Sequence, residues 1–415
     1  MERYDALVIG AGPAGLAAAI SLRNMGIKNI LLVDREPQPG GILMQCIHNG
    51  FGLRKYKDEL TGPEYAEREI DLARKQNIGI LSSTTVLRIS PGKKFHSAIL
   101  LSVEKGLLQI ETKAIIMAMG CRERNRGNIS IPGSRPAGIM TAGLAQKLVN
   151  CEGFLPGKNI VILGSGDIGL IMARRLTWEG ARVSAVIEIK PYPGGLARNI
   201  VQCLNDFGIP LYLSHRITNI RGNKRIEGVD VAGINGAPPF SLKCDTLLLS
   251  IGLIPENELS INAGVVLHPF TKGAVVDQNM MTNIPGIFAC GNVLHVHDIV
   301  DYVSEEAEYC GRCTADFIND RNKLTGTITT RAGNLVSYVL PSKTTAQNKT
   351  VFSLRTMAPS RNSLLTVKTA KKGMKEIIFS RKYRVMNPGE MIRITLPSIP
   401  EKTESLLFSI EMGGE

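Results

Sequence analysis

Apolar positions along the chain fall into short unbroken runs, which alternate with longer stretches where apolar and polar residues mix at helical spacing. Tyr4 to Ile9 and Asn159 to Leu163 are runs of buried-strand type, and each feeds a glycine turn and then an alanine- or leucine-rich helical stretch. A second strand follows each helix, Asn29 to Val33 in the first case and Arg182 to Ile187 in the second. Glu64 to Gln76 has the spacing of an amphipathic helix. Strands are expected within Asn77 to Ile89, Lys113 to Gly120 and Asp245 to Gly252, a hairpin at Gly264 to Asp277, and a long helix from about Asp298 to Asn319. From about Lys323 the pattern changes to six short alternating runs: Leu335 to Leu340, Thr350 to Arg355, Ser363 to Thr369, Glu376 to Val385, Met391 to Leu396 and Ser405 to Glu411. Strands alternating with helices predict an α/β body, and strands without helices predict a small C-terminal all-β sandwich.

The two strand–turn–helix blocks are copies of one another. The first contains Gly10, Gly12 and Gly15, then Asp34, then Pro37, Pro39, Gly40 and Gly41; the second contains Gly164, Gly166 and Gly169, then Glu188, then Pro191, Pro193, Gly194 and Gly195, each offset by 154 positions. A single GxGxxG means little in a chain with 42 glycines, but eight positions in register, with an acid 19 residues after the third glycine, is not a chance pattern. The first glycine permits the tight turn, the second lets backbone approach a pyrophosphate, and the third lets helix pack on strand. The helix start then presents unpaired N–H groups to phosphate, and the acid accepts hydrogen bonds from a ribose. Two copies imply two Rossmann-like domains and two dinucleotides.

On these motifs the chain resembles the pyridine nucleotide-disulfide oxidoreductase superfamily over roughly residues 1 to 320. The resemblance implies an NAD domain inserted in an FAD domain: residues 1–122 and 251–322 for FAD, 123–250 for NAD(P), and 323–415 as the β domain. It assigns to FAD the residues Gly10, Gly12, Pro13, Ala14, Gly15, Asp34, Arg35 and Gly41; Val86, in a strand whose backbone meets adenine; Gly120, in Ala118-Met119-Gly120; and Gly291, Asn292 and Asp298. To the nicotinamide nucleotide it assigns Gly164, Gly166, Asp167, Ile168, Gly169 and Glu188, with Gly252 on the return strand near the nicotinamide. Glu188 repels a 2′-phosphate, so NADH is favoured over NADPH, although Lys190 and Arg182 lie near enough in sequence to offer a phosphate some compensation. Asn292 stands where the family has an aspartate, and its carbonyl oxygen is expected to take over the hydrogen bond from the ribityl chain.

The resemblance breaks where the superfamily carries its redox disulfide. The CxxxxC positions, counted from Gly41, are Leu43 and His48, so thiol–disulfide transfer through this stretch lacks both sulfurs. Cys46, His48 and Asn49 remain as candidates for the face of the flavin that meets the second substrate. An imidazolium lowers a neighbouring thiol's pKa, which would activate Cys46, but both side chains equally suit mere lining of the pocket. The stretches Gly40 to Gly52 and Gly286 to Tyr302 resemble a group without redox cysteines, which includes the FAD subunits of opine oxidase-like, hydrogen-cyanide-synthase-like and anaerobic glycerol-3-phosphate-dehydrogenase-associated complexes. Hydride transfer between NAD(H) and flavin is implied, with electrons exchanged with a small-molecule or protein partner. A Cys46-dependent NADH oxidase or peroxidase, a disulfide reductase using Cys310 and Cys313, and a non-enzymatic flavoprotein scaffold stay open.

Composition narrows the setting. Eight dispersed cysteines form no secreted-type framework, and the one CxxC, Cys310 to Cys313, is half a zinc site. It falls some three turns along the long helix, where buried structural thiols are the simpler reading. His295 and His297 have the spacing of metal ligands on a strand, but no third ligand is evident, and no metal is expected. No apolar run reaches the roughly 18 residues of a membrane span, and a first strand starting at Tyr4 leaves no room for a cleaved signal peptide, so a cytoplasmic protein is expected. Of the net charge of +12, residues 321–415 carry +10, from 16 Lys and Arg against 6 Asp and Glu. That surface suits an acidic partner subunit; it lacks the aromatic–basic interleaving of a nucleic-acid binder, and none is expected. No Walker loop, catalytic triad or paired-carboxylate signature points to phosphoryl, acyl or glycosyl transfer.

Overall fold

The computed structural model describes residues 2–321, 327–346, 349–371 and 374–413. The chain divides into two compact units, Met1–Cys121 with Pro255–Glu415, and Arg122–Ile254. In the first unit, strand β1 (Glu2–Ile9) runs into helix α1 (Pro13–Asn24) and strand β2 (Ile30–Val33). Helix α2 (Gly62–Lys75) follows; its Thr61–Glu64 capping box satisfies two backbone donors reciprocally. Strands β3 (Gly79–Leu81), β4 (Thr84–Ser90), β5 (His96–Ser102) and β6 (Gly106–Met117) complete the sheet in the order β3-β2-β1-β6-β5-β4. The β3-β2-β1-β6 part is parallel, and its centre, Ala6–Ile9, Ile30–Val33 and Ala114–Met117, is buried on both faces, which is why those segments are unbroken apolar runs.

The glycine turn is dictated by sterics. Gly10 has φ +102°, and a Cβ on Gly15 would fall 1.7 Å from the Gly10 carbonyl oxygen. Any side chain at Gly15 would therefore push α1 off β1.

The second unit repeats the plan. Strands β7 (Ile139–Thr141), β8 (Asn159–Leu163), β9 (Arg182–Ile187), β10 (Leu211–Tyr212) and β14 (Thr246–Leu249) form a parallel sheet in the order β7-β14-β8-β9-β10. Helices α3 (Ala142–Asn150) and α4 (Asp167–Trp178) contribute to one core, and the antiparallel strands β11 (His215–Gly222), β12 (Ile226–Gly233) and β13 (Phe240–Lys243) contribute to the other.

Returning to the first unit, the expected hairpin at Gly264 to Asp277 is reduced to one antiparallel bridge, Leu267 with Ala274. Strand β15 (Ile287–Ala289) joins β6, and helix α5 (Val300–Ile318) packs on α1. The two helices approach closely because Gly311 stands at the crossing, where a Cβ would lie 2.5 Å from the Ala18 carbonyl oxygen. Eight strands then build the C-terminal sandwich: β16 (Ile328–Ala332), β17 (Val336–Leu340), β18 (Lys343–Thr344), β19 (Thr350–Thr356), β20 (Ser360–Lys371), β21 (Met374–Met386), β22 (Ile392–Leu396) and β23 (Ser405–Glu411). They form two sheets, β18-β16-β23-β20-β21 and β17-β19-β22, around one apolar core in which the Phe352 and Phe408 rings lie 5.0 Å apart. All six expected strands are present. The two additional ones, Ile-Thr-Thr-Arg-Ala and Lys-Thr, are too polar and too short to show alternation.

Candidate functional site

The repeat in sequence is a repeat in hydrogen bonding. Gly10 N–H donates to Val33 O at 2.8 Å, and Gly164 N–H donates to Ile187 O at 2.7 Å. The Asp34 carboxylate accepts the N–H groups of Ala11 (2.5 Å) and Glu36 (2.8 Å). The Glu188 carboxylate accepts those of Ser165 (2.9 Å) and Lys190 (2.9 Å), and the Ser165 hydroxyl at 2.6 Å. Each of these backbone groups in one copy has its counterpart 154 residues along. A carboxylate has about four lone-pair directions. Two are taken at Asp34 and three at Glu188, so each acid is held rigidly at the lip of its glycine turn with acceptor capacity left over.

The remaining expected cofactor residues divide between backbone and side-chain roles. Gly41 sits against Gly12, where an added Cβ would be 3.0 Å from the Gly12 Cα. Pro13 opens α1 and Ala14 is buried behind it. Arg35 is largely exposed, 4.0 Å from Glu36. Val86 is buried on β4, and Gly120 and Gly252 both have positive φ. Asp167 turns its carboxylate to Leu196 N–H (2.8 Å) and the Asn199 side-chain amide (2.6 Å), and Ile168 packs against the core of its own unit, so both meet a nucleotide through backbone if at all. A cavity of about 560 Å³ in the second unit, lined by Arg126 and Arg135 among others, includes none of the fingerprint residues.

The stretch after the double glycine forms a short 3-10 turn, Gly41–Gln45. Cys46 Sγ donates to Ile42 O at 3.2 Å, and the Cys46 carbonyl accepts Gly62 N–H at 2.8 Å. The His48 ring lies 5.0 Å from Phe51, with Nδ1 3.0 Å from Asn49 O, while Asn49 pairs with Thr61 and is exposed. The loop beyond is anchored by Asp301, a buried residue in the first turn of α5, whose carboxylate accepts the N–H groups of Gly52 (3.3 Å), Arg54 (3.1 Å) and Lys55 (2.8 Å). Lys55 bridges Glu69 (2.5 Å) and Glu308 (2.9 Å); burial alone would lower its pKa, but the two carboxylates outweigh that and raise it. Cys310 and Cys313 face the core between α1 and α5. Burial pushes both thiols up, Cys313 to about 12, and Cys310 has Cys290 as a hydrogen-bonding neighbour. Protonated thiols in an apolar core are poor nucleophiles, which weighs against a dithiol centre there.

One expectation for the loop before α5 is corrected. The helix starts at Val300, two residues after Asp298, whose carboxylate instead accepts the Arg355 guanidinium and Met391 N–H (2.6 Å) from the C-terminal sandwich. The Asn292 carbonyl oxygen accepts His297 N–H at 3.0 Å and lies 3.2 Å from His297 Nδ1. Its amide NH₂ lies 3.8 Å from Cys121 Sγ.

The third partner that the two histidines lack in sequence is Glu306. His295 Nε2 lies 2.8 Å and His297 Nε2 3.3 Å from one Glu306 carboxylate oxygen, and the other oxygen accepts Gly291 N–H at 2.8 Å. Burial raises the Glu306 carboxyl, but the two imidazoles outweigh it and hold the group below its usual range. Burial, with His297 beside it, lowers His295. Helical spacing carried a signal for Glu306: Val303, Ala307 and Cys310 form the buried stripe of α5, and Glu306 lies within it. An acid on a buried stripe requires a partner.

Residues 4–309 match a family model described as pyridine nucleotide-disulphide oxidoreductase. A subunit of the opine oxidase of Agrobacterium tumefaciens (strain Ach5) is 28% identical over 340 residues, covering 75% of this chain and 64% of that one. A subunit of the alkyl hydroperoxide reductase of Staphylococcus aureus (strain NCTC 8325 / PS 47) is 27% identical over 298 residues, covering 70% and 54%. The chain thus matches less than two thirds of the length of these curated relatives. Among solved structures, Lactococcus lactis thioredoxin reductase superposes with a TM-score of 0.65 at 21% identity, covering 76% of this chain and 99% of that one. Thioredoxin reductase from T. acidophilum gives 0.64 at 20%, with the same coverage. Both share the fold. With the family model spanning about three quarters of its length and the paired glycine turns in place, the chain belongs to the pyridine nucleotide-disulphide oxidoreductase family, whose members are FAD- and NAD(P)H-dependent oxidoreductases.

Proposed function

We propose that this protein is a flavoprotein oxidoreductase that moves hydride between NADH and FAD and exchanges electrons with a second substrate or a partner subunit. One observation carries the reading: both glycine turns hold an acid at the strand end by homologous backbone N–H groups, so each copy is built to receive a ribose and a pyrophosphate. The residues fit FAD in the first copy. Gly10, Gly12 and Gly15 leave a cradle that any side chain would fill, the start of α1 offers N–H groups without an acidic side chain in its first turn, and Asp34 keeps lone pairs for the ribose. Bound FAD supplies a centre that takes two electrons as hydride and can release them to a different acceptor.

The chain's own residues set the terms. Glu188 is only 6% exposed and fixed by three donors, so a 2′-phosphate would face a carboxylate that cannot swing away. The neighbouring Lys190 ammonium lies over the Tyr192 ring, 5.5 Å from its centre. This favours NADH. Cys46, His48 and Asn49 line the side open to the electron partner, next to the 52–55 loop that Asp301 holds in place. The basic C-terminal sandwich is the surface for an acidic partner subunit.

Anaerobic stopped-flow mixing of the yellow protein with NADH and, separately, NADPH tests the reading. Flavin bleaching at least tenfold faster with NADH is expected, and Glu188→Ala should shrink that preference. A flavin bleached by neither nucleotide would overturn the hydride-transfer assignment.

A further inference from the structure

The geometry points to a divalent transition-metal site made by His295 Nε2, His297 Nε2 and Glu306 Oε2, of the zinc class. The three ligand atoms lie within 4.8 Å of one another. Two of the separations, 2.8 and 3.3 Å, are near the edge of a tetrahedron with bonds of about 2.0–2.2 Å, which is roughly 3.4 Å, so a modest widening admits an ion. A two-histidine, one-carboxylate set is a recurrent donor combination for zinc-like ions, with one position left for water.

His297 turns one ring nitrogen toward the Glu306 carboxylate. Its backbone N–H donates to Asn292 Oδ1, which fixes that atom as the amide oxygen. Its ring Nδ1 faces the same oxygen at 3.2 Å and must therefore carry a hydrogen. A neutral His297 then aims the lone pair of Nε2 at the Glu306 carboxylate 3.3 Å away, two electron-rich groups turned on each other in a buried pocket. A divalent cation between them would take both as donors.

The surroundings are those of a ligand set. Each ligand's second polar atom is held: His297 by Asn292, His295 Nδ1 by the Tyr338 hydroxyl at 3.3 Å, and Glu306 Oε1 by Gly291 N–H. Such outer partners orient ligating imidazoles and carboxylates. The nearby Arg355, which would repel an ion, is neutralised by Asp298. The ion would fasten the Gly291–Asp298 loop to α5 and, through Tyr338, to the C-terminal sandwich.

The test uses the purified full-length protein, stripped with chelator and titrated with Zn²⁺ or Co²⁺. Expected are about one ion per chain, a rise in thermal midpoint, and a cobalt visible spectrum without the sulfur-to-metal band that a cysteine site would add. Glu306→Gln and His297→Gln should each weaken binding by at least tenfold while their metal-free melting stays near that of the metal-free wild type. No ion bound by the wild type at micromolar zinc would leave the cluster a histidine–carboxylate hydrogen-bond network and overturn the site. Equal binding by both variants would place the ion elsewhere and overturn it as well.

Discussion

At the scale of single residues, the thiols show how far burial governs chemistry. Cys-Gly-Arg-Cys is a redox signature in sequence, yet helical geometry alone places both sulfurs on one face of a long helix, and that face is the buried one. The sequence therefore allowed the structural reading. It did not reveal Cys290, just past β15 and within hydrogen-bonding reach of Cys310, because that proximity is tertiary. Burial raises Cys313 from 9.0 to about 12 and Cys244 from 9.0 to about 11. A thiol whose pKa is raised by folding stabilises the fold fully below its unfolded value and loses that contribution as pH climbs through the folded one. The thermal midpoint is thus expected to fall between about pH 9 and pH 12. Cys313→Ser should fall less steeply across that window, and equal slopes in the two proteins would show that this thiol does not titrate as described. At pH 8 an alkylating reagent should modify the exposed Cys151 at least a hundredfold faster than Cys310 or Cys313, as read by peptide mass mapping.

At the scale of elements, Asp301 has the largest consequences. It lies one residue inside α5, where an acid favours the helix start, and it closes the 52–55 loop with three accepted N–H bonds. Sequence reading placed the helix start at Asp298 and gave the loop-holding role to no residue, because helix onset signals are uncertain by a residue or two and a carboxylate's distant backbone partners leave no trace in spacing. Six strands of the sandwich were legible from alternation, whereas β16 and β18 were not, since threonine-rich polar runs look like loop. Asp301→Ala leaves three backbone donors without their acceptor, at a local cost of about 2 kcal/mol. The loop carries the tryptic sites Arg54, Lys55 and Lys57. Native-state cleavage there should quicken by roughly thirtyfold, since proteolysis follows the population of locally opened states. Cleavage at the wild-type rate would mean that the Lys55–Glu69–Glu308 bridges hold the loop unaided.

At the scale of the whole molecule, the chain is one dinucleotide-binding design used twice, and that duplication was the most legible feature of all, because glycine positions are fixed by sterics and an acid's place is fixed by strand length. The His295–His297–Glu306 cluster was only half legible: the pair is local, and the third member sits inside the helix that follows. Two copies in two compact units also make their defects separable. In the first copy a side chain at position 15 would collide with the Gly10 carbonyl oxygen, and in the second a side chain at position 169 would fall 2.6 Å from Ser250 Cβ, within its own unit. Each clash displaces a helix start from its strand and so removes the N–H groups meant for phosphate. Gly15→Val is therefore expected to purify without yellow colour yet to keep NADH affinity, measured calorimetrically, within about threefold of the wild type. Gly169→Val should remain yellow, with a normal flavin spectrum, and lose flavin bleaching by NADH while dithionite still reduces it. Loss of colour in both variants would mean that the two copies do not act as separate binding units. Retention of NADH bleaching in Gly169→Val would show that the second glycine turn is not where the nicotinamide nucleotide binds, and the assignment of Glu188 to its ribose would fall with it.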